Sequence, residues 1–183
     1  MDKRIKKSKR AIEEALISLM AENDFIDITI NSIAERADVN RGTIYLHYED
    51  KFDLLEQCIE GKIQKLLNFC LPEGSGSYPS KSSLLRTFNY LEEHSFTFHI
   101  LLTNKGVPTF RKKILNVMKA GMKEQLELNG INQNINKEIL IQFLPSATIS
   151  VIEWWIIESM PYSPEDITEQ LWILLEQNHF VPK

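Results

Sequence analysis

A dense group of hydrogen-bonding side chains follows residue 40 of this 183-residue chain. The group consists of Arg41, Thr43, Tyr45 and His47, with Gly42 among them. At the start of a short helix, such side chains can enter the DNA major groove, which is about 12 Å wide, and form hydrogen bonds with base edges. The alternative is a solvated turn that contains an incidental glycine.

Two short helices and a sharp turn would position this group. The pattern predicts a first helix over residues 30–37 with Thr29 as its N-cap, and a second helix capped by Asn40. Asp38 must turn the chain between them, and aspartate is one of the few residues other than glycine that tolerate a left-handed backbone. Ile44 is then the position of the second helix that faces the core. This arrangement is a helix-turn-helix.

Two residues are unexpected for local helix stability. Gly42 costs about 1 kcal/mol relative to alanine, and a close approach of the backbone to something bulky, such as a sugar-phosphate chain, would explain it. Lys51 falls at the first position of the next helix, where the helix dipole disfavours a cation. A nearby phosphate would explain this lysine, and the alternative is an ion pair with Glu49 or Asp53.

The segment over residues 33–55 resembles the helix-turn-helix of the TetR/AcrR family of bacterial transcriptional regulators. The resemblance depends on the family pattern G-T-[IL]-Y-x-[HY]-[FY]-x-x-K, which is matched by Gly42, Thr43, Ile44, Tyr45, His47, Tyr48 and Lys51. The sequence departs from the family at Asp38, where glycine is usual, and at Phe52-Asp53, where a more polar pair is common. Neither departure removes a DNA-contacting residue type.

The resemblance implies roles for individual residues. Phosphate contacts are implied for Thr43, Tyr45, His47 and Lys51. Asn31, Asn40 and Arg41 are the candidates for base edges, and Arg41 can pair with a guanine in bidentate fashion. Thr29 and Gly42 complete the predicted DNA-binding set.

The fold predicted for the whole chain is all-α. A three-helix N-terminal domain over residues 1–50 is joined by a long helix to a helical effector-binding and dimerisation domain over residues 51–183. With 43% apolar residues, seven glycines and seven prolines, the chain can bury a core and is unlike disordered proteins. The net charge of −4 is compatible with DNA binding if basic groups gather on one face, and six of the first ten residues are Lys or Arg.

Residues 136–160 are apolar on almost every side, which predicts a helix that is buried on more than one side. In a chain of this size, a second subunit is the simplest cover for the additional side. By resemblance, the last two helices form the interface of a homodimer. Gln142, Pro145 and Glu153 interrupt the apolar run, so no membrane span is predicted. The protein is expected in the cytoplasm.

Catalytic and metal-binding patterns are not found in the sequence. It lacks a phosphate-cradling glycine loop, a G-x-S-x-G motif and an H-E-x-x-H motif, and Cys58 and Cys70 lack ligand spacing. We therefore predict no enzyme activity, no cofactor and no metal site.

The function implied by the resemblance is that of a repressor, a dimer bound to a palindromic operator in double-stranded DNA. Release by a small apolar effector is expected, with the effector bound near Tyr90, Phe98, Met118 and Trp154. The alternative is a helical protein-interaction module or coactivator that keeps the fold without depending on DNA binding. A third, weaker interpretation is a helical-bundle enzyme, which would copurify with a metal or cofactor.

Overall fold

A computed structural model describes residues 3–70, 80–104, 109–125 and 136–177. Every regular element assigned within these ranges is a helix. The helices are α1 (Lys3–Glu22), α2 (Ile30–Arg36), α3 (Arg41–Tyr45), α4 (Lys51–Cys70), α5 (Lys81–Glu93), α6 (Ser95–Thr103), α7 (Thr109–Gln125), α8 (Lys137–Ile157) and α9 (Pro164–Gln177). A short 3-10 helix over Phe25–Asp27 connects α1 to α2. The all-α fold predicted from the sequence is confirmed.

The chain forms two compact units. The first comprises residues 1–64 with 100–108, and the second comprises residues 65–99 with 109–183. The predicted domain boundary at residue 50 falls at the N-cap of α4, and the first unit continues beyond it along this helix. The density of Pro, Gly and Ser over residues 72–80 predicts a loop, and all of it but Ser80 lies outside the described residues. Gly130, which by type predicts a helix end after Asn129, also lies outside them.

The N-terminal unit has a core of aliphatic side chains contributed by all four of its first helices. The fully buried members from these helices are Ile12, Leu16, Ile33, Ile44, Leu54 and Ile59. Two large apolar residues of this unit are not buried: Ile26 is 66% exposed, and Phe52 is also exposed although its ring meets that of Phe25 in a T-shaped contact. The 3-10 helix explains Ile26, because it turns Phe25 and Ile28 inward and the two residues between them, Ile26 and Asp27, outward.

The C-terminal unit packs α5 against α9 and α7 against α8. Phe88 and Trp155 meet edge to face at 5.1 Å in its interior. A capping box between Ser80 and Ser83 starts α5 at Lys81, whereas the sequence predicts a start at Ser82 or Ser83. The order Ser163, Pro164 and Asp166 predicts an N-cap at Ser163, and this is confirmed because the Ser163 hydroxyl oxygen accepts from the Asp166 backbone N–H.

Helix α8 is long and apolar enough to cross a membrane by length and composition alone, with a mean hydropathy of 1.5. Its packing is that of a core helix on one side. Leu140, Leu144, Thr148 and Trp155 are buried, and Glu153 pairs with Arg111 of α7 at 2.8 Å. Pro145 lies within the helix and is buried.

Candidate nucleic-acid interface

Helices α2 and α3 are held in place by their caps and by one left-handed residue. The Thr29 hydroxyl oxygen accepts from the Ser32 backbone N–H at 3.1 Å, and the Ser32 hydroxyl oxygen accepts from the Thr29 backbone N–H. Asp38 has a φ of 52°, which is the left-handed conformation predicted for the turn. The Asn40 side-chain oxygen then accepts from the Gly42 N–H at 2.9 Å and starts α3. The predicted helix-turn-helix is confirmed.

The exposure of side chains around α3 defines the surface that this motif presents. Ile44 is fully buried, so the residues on the opposite side of the helix point away from the core. With 3.6 residues per turn, the two residues most nearly opposite Ile44 are Gly42 and Leu46. Arg41 and Tyr45 lie on one side of them and are exposed, whereas Thr43 and His47 lie on the other side and are half-buried. We call the surface formed by Arg41, Gly42, Tyr45 and Leu46 the α3 front.

Gly42 is not required by the fold of this chain. A Cβ atom added there would meet only the Asn40 side-chain oxygen, at an ordinary contact distance of 3.4 Å, and the residue has no left-handed backbone. The absence of a side chain therefore leaves backbone accessible on the α3 front without relieving any steric conflict within the protein. An external molecule that approaches closely would explain the glycine.

Arg41 and Tyr45 lie one turn apart and contact each other. The guanidinium carbon is 5.9 Å from the centre of the Tyr45 ring, a cation–π arrangement that limits the freedom of the arginine. Both residues are exposed, and so is Asn31 on α2. These three residues can donate hydrogen bonds to a groove or a backbone that approaches α2 and α3.

Two predicted contact residues are engaged in capping. The Asn40 side-chain oxygen holds the first turn of α3, so its NH₂ group is the part that can meet a base. The Thr29 hydroxyl is within the capping box of α2 and lies 3.2 Å from the Ser32 hydroxyl. Both residues remain predicted DNA contacts, and the structure adds that each also fixes the helix it precedes.

Lys51 has a local role that neither sequence interpretation anticipated. Its ammonium group donates to the backbone carbonyls of Phe25, Ile26 and Ile28, at 3.2, 2.6 and 2.8 Å. It pairs with neither Glu49 nor Asp53, because the Asp53 carboxylate instead accepts from the Glu49 backbone N–H. The three carbonyls explain the cation at the start of α4 without a phosphate, so the argument from local instability was wrong. The phosphate contact of Lys51 stays a prediction implied by resemblance.

Other residues that support the α3 front were not identified from the sequence. The buried Tyr48 ring lies beneath the Lys9 ammonium. The Tyr48 hydroxyl donates to Glu13 of α1 at 3.4 Å. Burial raises the pKa of the Tyr48 phenol, and the Glu13 carboxylate raises it further. Arg36 of α2 forms a bidentate pair with Glu22 of α1, at 2.8 and 2.7 Å.

Asn104, at the end of α6, is a further support that is distant in sequence. Its amide nitrogen donates to the Met20 and Asn23 carbonyls at 2.9 and 3.0 Å, and its oxygen accepts from the Phe25 N–H at 3.2 Å. These contacts tie the corner between α1 and α2 to α6. No local pattern in the sequence could have revealed a pairing across about eighty residues.

The sequence profile described as "Bacterial regulatory proteins, tetR family" matches residues 12–58, and the profile described as "Transcriptional regulator C-terminal region" matches residues 80–177. The chain belongs to the TetR family of bacterial transcriptional regulators. The first match contains the complete helix-turn-helix, and the second contains most of the C-terminal unit.

Similar proteins include other regulators of this type. The chain is 28% identical, over 92% of its length and 45% of the relative's, to the uncharacterised HTH-type transcriptional regulator YxbF of Bacillus subtilis (strain 168). It is 27% identical, over 56% of its length and 54% of the relative's, to DhaS of Lactococcus lactis subsp. lactis (strain IL1403), an HTH-type activator of the dhaKLM operon. The chain therefore spans about half the length of the curated relatives it matches.

A solved structure extends the similarity to almost the full length. A TetR transcriptional regulator from Streptococcus agalactiae 2603V superposes with a TM-score of 0.68 at 26% identity, covering 95% of this chain and 96% of that one. The TetR-family arrangement of an N-terminal helix-turn-helix followed by a helical C-terminal region is thus present here.

Two of the four predicted effector-site residues come together in the C-terminal unit. The rings of Tyr90 and Phe98 are 5.9 Å apart, and Tyr90 also contacts Phe69 and His94. Within the described residues, the buried Tyr90 hydroxyl has no hydrogen-bond partner. Burial raises the pKa of this phenol, and Glu93 adds to the effect, so the hydroxyl remains a neutral donor.

The other two effector-site residues are placed differently. Met118 is half-buried on α7. Trp154 is 44% exposed and lies against Tyr162 at a ring distance of 6.1 Å, whereas its neighbour Trp155 is fully buried. The prediction that Trp154 joins Tyr90 and Phe98 is therefore not supported by its position, because the helix turns the adjacent tryptophan inward instead.

The side of α8 that faces away from the core is apolar. Its residues recur every three or four positions and are Ile139, Phe143, Ser146, Ala147, Ser150, Trp154 and Ile157, which we call the α8 face. The small residues at its centre line a shallow groove, with Ile139 and Phe143 at one end. Gln142 also lines this groove, and its side-chain oxygen accepts from the Lys119 ammonium of α7. Helix α9 also exposes Ile173 and Leu174. Trp154 belongs to this face.

Proposed function

We propose that this protein is a cytoplasmic transcriptional repressor that binds a palindromic operator in double-stranded DNA as a homodimer. The observation that carries the proposal is the α3 front, where Gly42 leaves backbone accessible between Arg41 and Tyr45 although the fold does not need a glycine there. In helix-turn-helix proteins the second helix lies in the major groove, and its first residues contact base edges.

The α8 face supports the dimer. A row of exposed apolar side chains with small residues at its centre allows the same helix of a second copy to approach closely. A two-fold arrangement repeats the α3 front twice, and half-sites are then separated by about one helical turn, roughly 34–36 Å, or slightly more. The last two helices, α8 and α9, are the proposed interface.

A small apolar effector that releases the DNA is part of the proposal. The aromatic cluster around Tyr90 and Phe98 has a buried hydroxyl that lacks a partner among the described residues, which supports binding of an apolar molecule that carries one hydrogen-bond acceptor. Such a ligand changes DNA affinity only if it binds one arrangement of the dimer better than the other. A thermal-shift screen in which no compound stabilises either the wild-type protein or Tyr90→Phe would contradict this part of the proposal.

The DNA-binding part is tested by fluorescence anisotropy with the promoter-proximal DNA of the protein's own gene and with a random duplex of equal length. Tight binding to the first and weak binding to the second are expected at about 50 mM salt, and the specific complex should weaken steeply by about 200 mM. Equal affinity for the two duplexes would contradict a sequence-specific regulator. Binding to neither would favour the protein-interaction alternative.

Two substitutions on the α3 front separate specificity from affinity. Arg41→Ala should relax preference at one base position by about 5- to 150-fold, because a bidentate base contact contributes about 1–3 kcal/mol of discrimination. Tyr45→Phe should weaken binding to all sequences equally, because a phosphate contact carries no sequence information. Loss of equal size on operator and random DNA for Arg41→Ala would contradict its assignment to a base.

Activation rather than repression is the second candidate, and the name of the relative DhaS as an operon activator favours it. Both outcomes use the same operator contacts and differ in where the operator lies relative to the promoter. A reporter gene placed behind the native promoter distinguishes them, since deletion of the regulator raises expression under repression and lowers it under activation.

A further inference from the structure

Leu46 is the most exposed large apolar residue among those the structure describes, with 78% of its surface accessible. It follows α3 directly and is that helix's C-cap, with its backbone N–H bonded to the Gly42 carbonyl at 3.1 Å. The residue is therefore held in a helical position rather than on a loose loop. A leucine gains nothing from this exposure within the chain.

The direction in which Leu46 projects follows from the helix. Residues four apart share a face, so Leu46 projects from the same side of α3 as Gly42, directly opposite the buried Ile44. Because Gly42 has no side chain, Leu46 is the outermost carbon group on this side. Whatever the accessible backbone of Gly42 approaches is therefore also within reach of the leucine one turn later.

The DNA major groove displays one apolar group, the C5-methyl of thymine, among edges that otherwise carry hydrogen-bond donors and acceptors. We propose that Leu46 is a specificity-determining residue that contacts a thymine methyl group in each half-site of the operator. This inference rests on the proposed DNA-binding function and deepens it. Of the residues on either side, the Tyr45 ring lies against the Arg41 guanidinium and His47 is half-buried, so neither occupies the direction in which Leu46 projects.

The assignment makes Leu46 complementary to Arg41 on the α3 front. Arg41 precedes Gly42 and offers donors, which suit a guanine, whereas Leu46 follows it by one turn and offers only carbon. The rise of 1.5 Å per residue places their Cα positions about 7.5 Å apart along the helix, roughly two base-pair steps. The half-site should therefore combine one guanine-dependent and one methyl-dependent position close together.

Replacement of thymine by uracil removes the methyl group and leaves every hydrogen bond of the base pair intact. The test is to substitute each operator thymine in turn, symmetrically in both half-sites, and to measure the affinity of the wild-type protein by anisotropy. One position per half-site should weaken binding by about fourfold per methyl group, the effect of removing one buried apolar carbon from each contact. The remaining positions should give changes well below this.

The same duplexes are then measured with Leu46→Ala, and with Tyr45→Phe as a control. The uracil effect at the sensitive position should disappear in Leu46→Ala and persist in Tyr45→Phe. Because Leu46 is exposed, its alanine variant should melt at the wild-type temperature. A normal uracil penalty in Leu46→Ala, or no sensitive position for wild type on a duplex it binds tightly, would overturn the Leu46 assignment alone. If wild type binds no operator at all, the proposed function fails and the assignment fails with it.

Discussion

Two surfaces of this protein are exposed and have opposite chemistry. The α3 front presents the donors of Arg41 and Tyr45 around the bare backbone of Gly42, with Leu46 as its one apolar side chain, whereas the α8 face is mostly apolar, from Ile139 to Ile157. The donors of a polar surface form hydrogen bonds with water when no partner is bound. A row of apolar side chains gains nothing from water, because transfer of each exposed methylene out of water is favourable by about 0.8 kcal/mol.

The difference indicates how permanent each partner is. We expect the α8 face to be covered by a second copy at all times after folding, because leaving it exposed favours association or aggregation. The α3 front can be vacant or occupied, as the switching of a gene requires. The DNA complex should therefore depend on salt and on single polar groups, and the dimer on apolar area.

The largest expected effect is the contrast in salt dependence. If each N-terminal unit neutralises about three phosphates, operator affinity should fall about 1,000-fold between 50 and 200 mM salt. The dimer dissociation constant should change by less than about threefold over the same range, because apolar burial is not screened. Anisotropy measures the operator affinity, and analytical ultracentrifugation measures the dimer dissociation constant. A dimer that weakens with salt as steeply as the DNA complex does would contradict the proposed difference between the two surfaces.

A charge at the centre of the α8 face should separate the subunits. Ala147→Glu places two carboxylates near the two-fold axis, and a loss of about 3 kcal/mol or more, over 100-fold in dimer affinity, is expected from their desolvation and repulsion. Affinity for the palindrome should fall with it, since only one half-site is then held. The matched control is Ala120→Glu on the exposed side of α7, and a dimeric Ala147→Glu protein would place the interface elsewhere.

Removal of the Asn104 amide should show that this residue stabilises the N-terminal unit although it is not part of the α3 front. Asn104→Ala deletes three hydrogen bonds at the corner between α1 and α2 and should destabilise by about 1–3 kcal/mol, with a melting temperature several degrees lower. The control is Asn116→Ala, at an exposed position of α7, which should melt like wild type. Equal melting of the two variants would mean that the corner does not need Asn104.

The smallest expected effect concerns Gly42. Gly42→Ala should keep or slightly raise stability, because the added Cβ has room and alanine is the better helix residue, yet it should weaken operator binding about tenfold by holding the backbone away from DNA. Gly61→Ala on α4 is the control, since a Cβ there has open space and should affect neither property adversely. Unchanged operator affinity for Gly42→Ala would indicate that the glycine is incidental.

Local chemistry made much of this architecture predictable. Thr29, Asn40 and Ser163 cap helices as expected, Asp38 takes the left-handed backbone, and Ile44 faces the core. Each depends on residues within one turn of the chain, which is the range over which side-chain type determines backbone structure. The helix-turn-helix and the all-α fold followed from these.

The failures share a different origin. Lys51 reaches carbonyls more than twenty residues earlier, and Asn104 reaches about eighty, so neither partner could be inferred from neighbouring positions. Trp154 and Trp155 are adjacent and equally apolar, and only the packed helix determines which one is buried. Long-range contacts and the rotation of an apolar helix are tertiary properties, which a single sequence does not display.

The positions of Trp154 and Trp155 also make the protein its own optical probe. All three tryptophans, including Trp172, lie in the C-terminal unit, so tryptophan fluorescence reports on that unit and not on the N-terminal unit. Trp155 is shielded and should emit at short wavelength in any folded state, whereas Trp154 on the α8 face is in contact with water in the single chain. Dilution of the dimer should therefore shift the emission to the red and expose it to quenching by acrylamide, and both changes should follow the concentration at which the subunits separate.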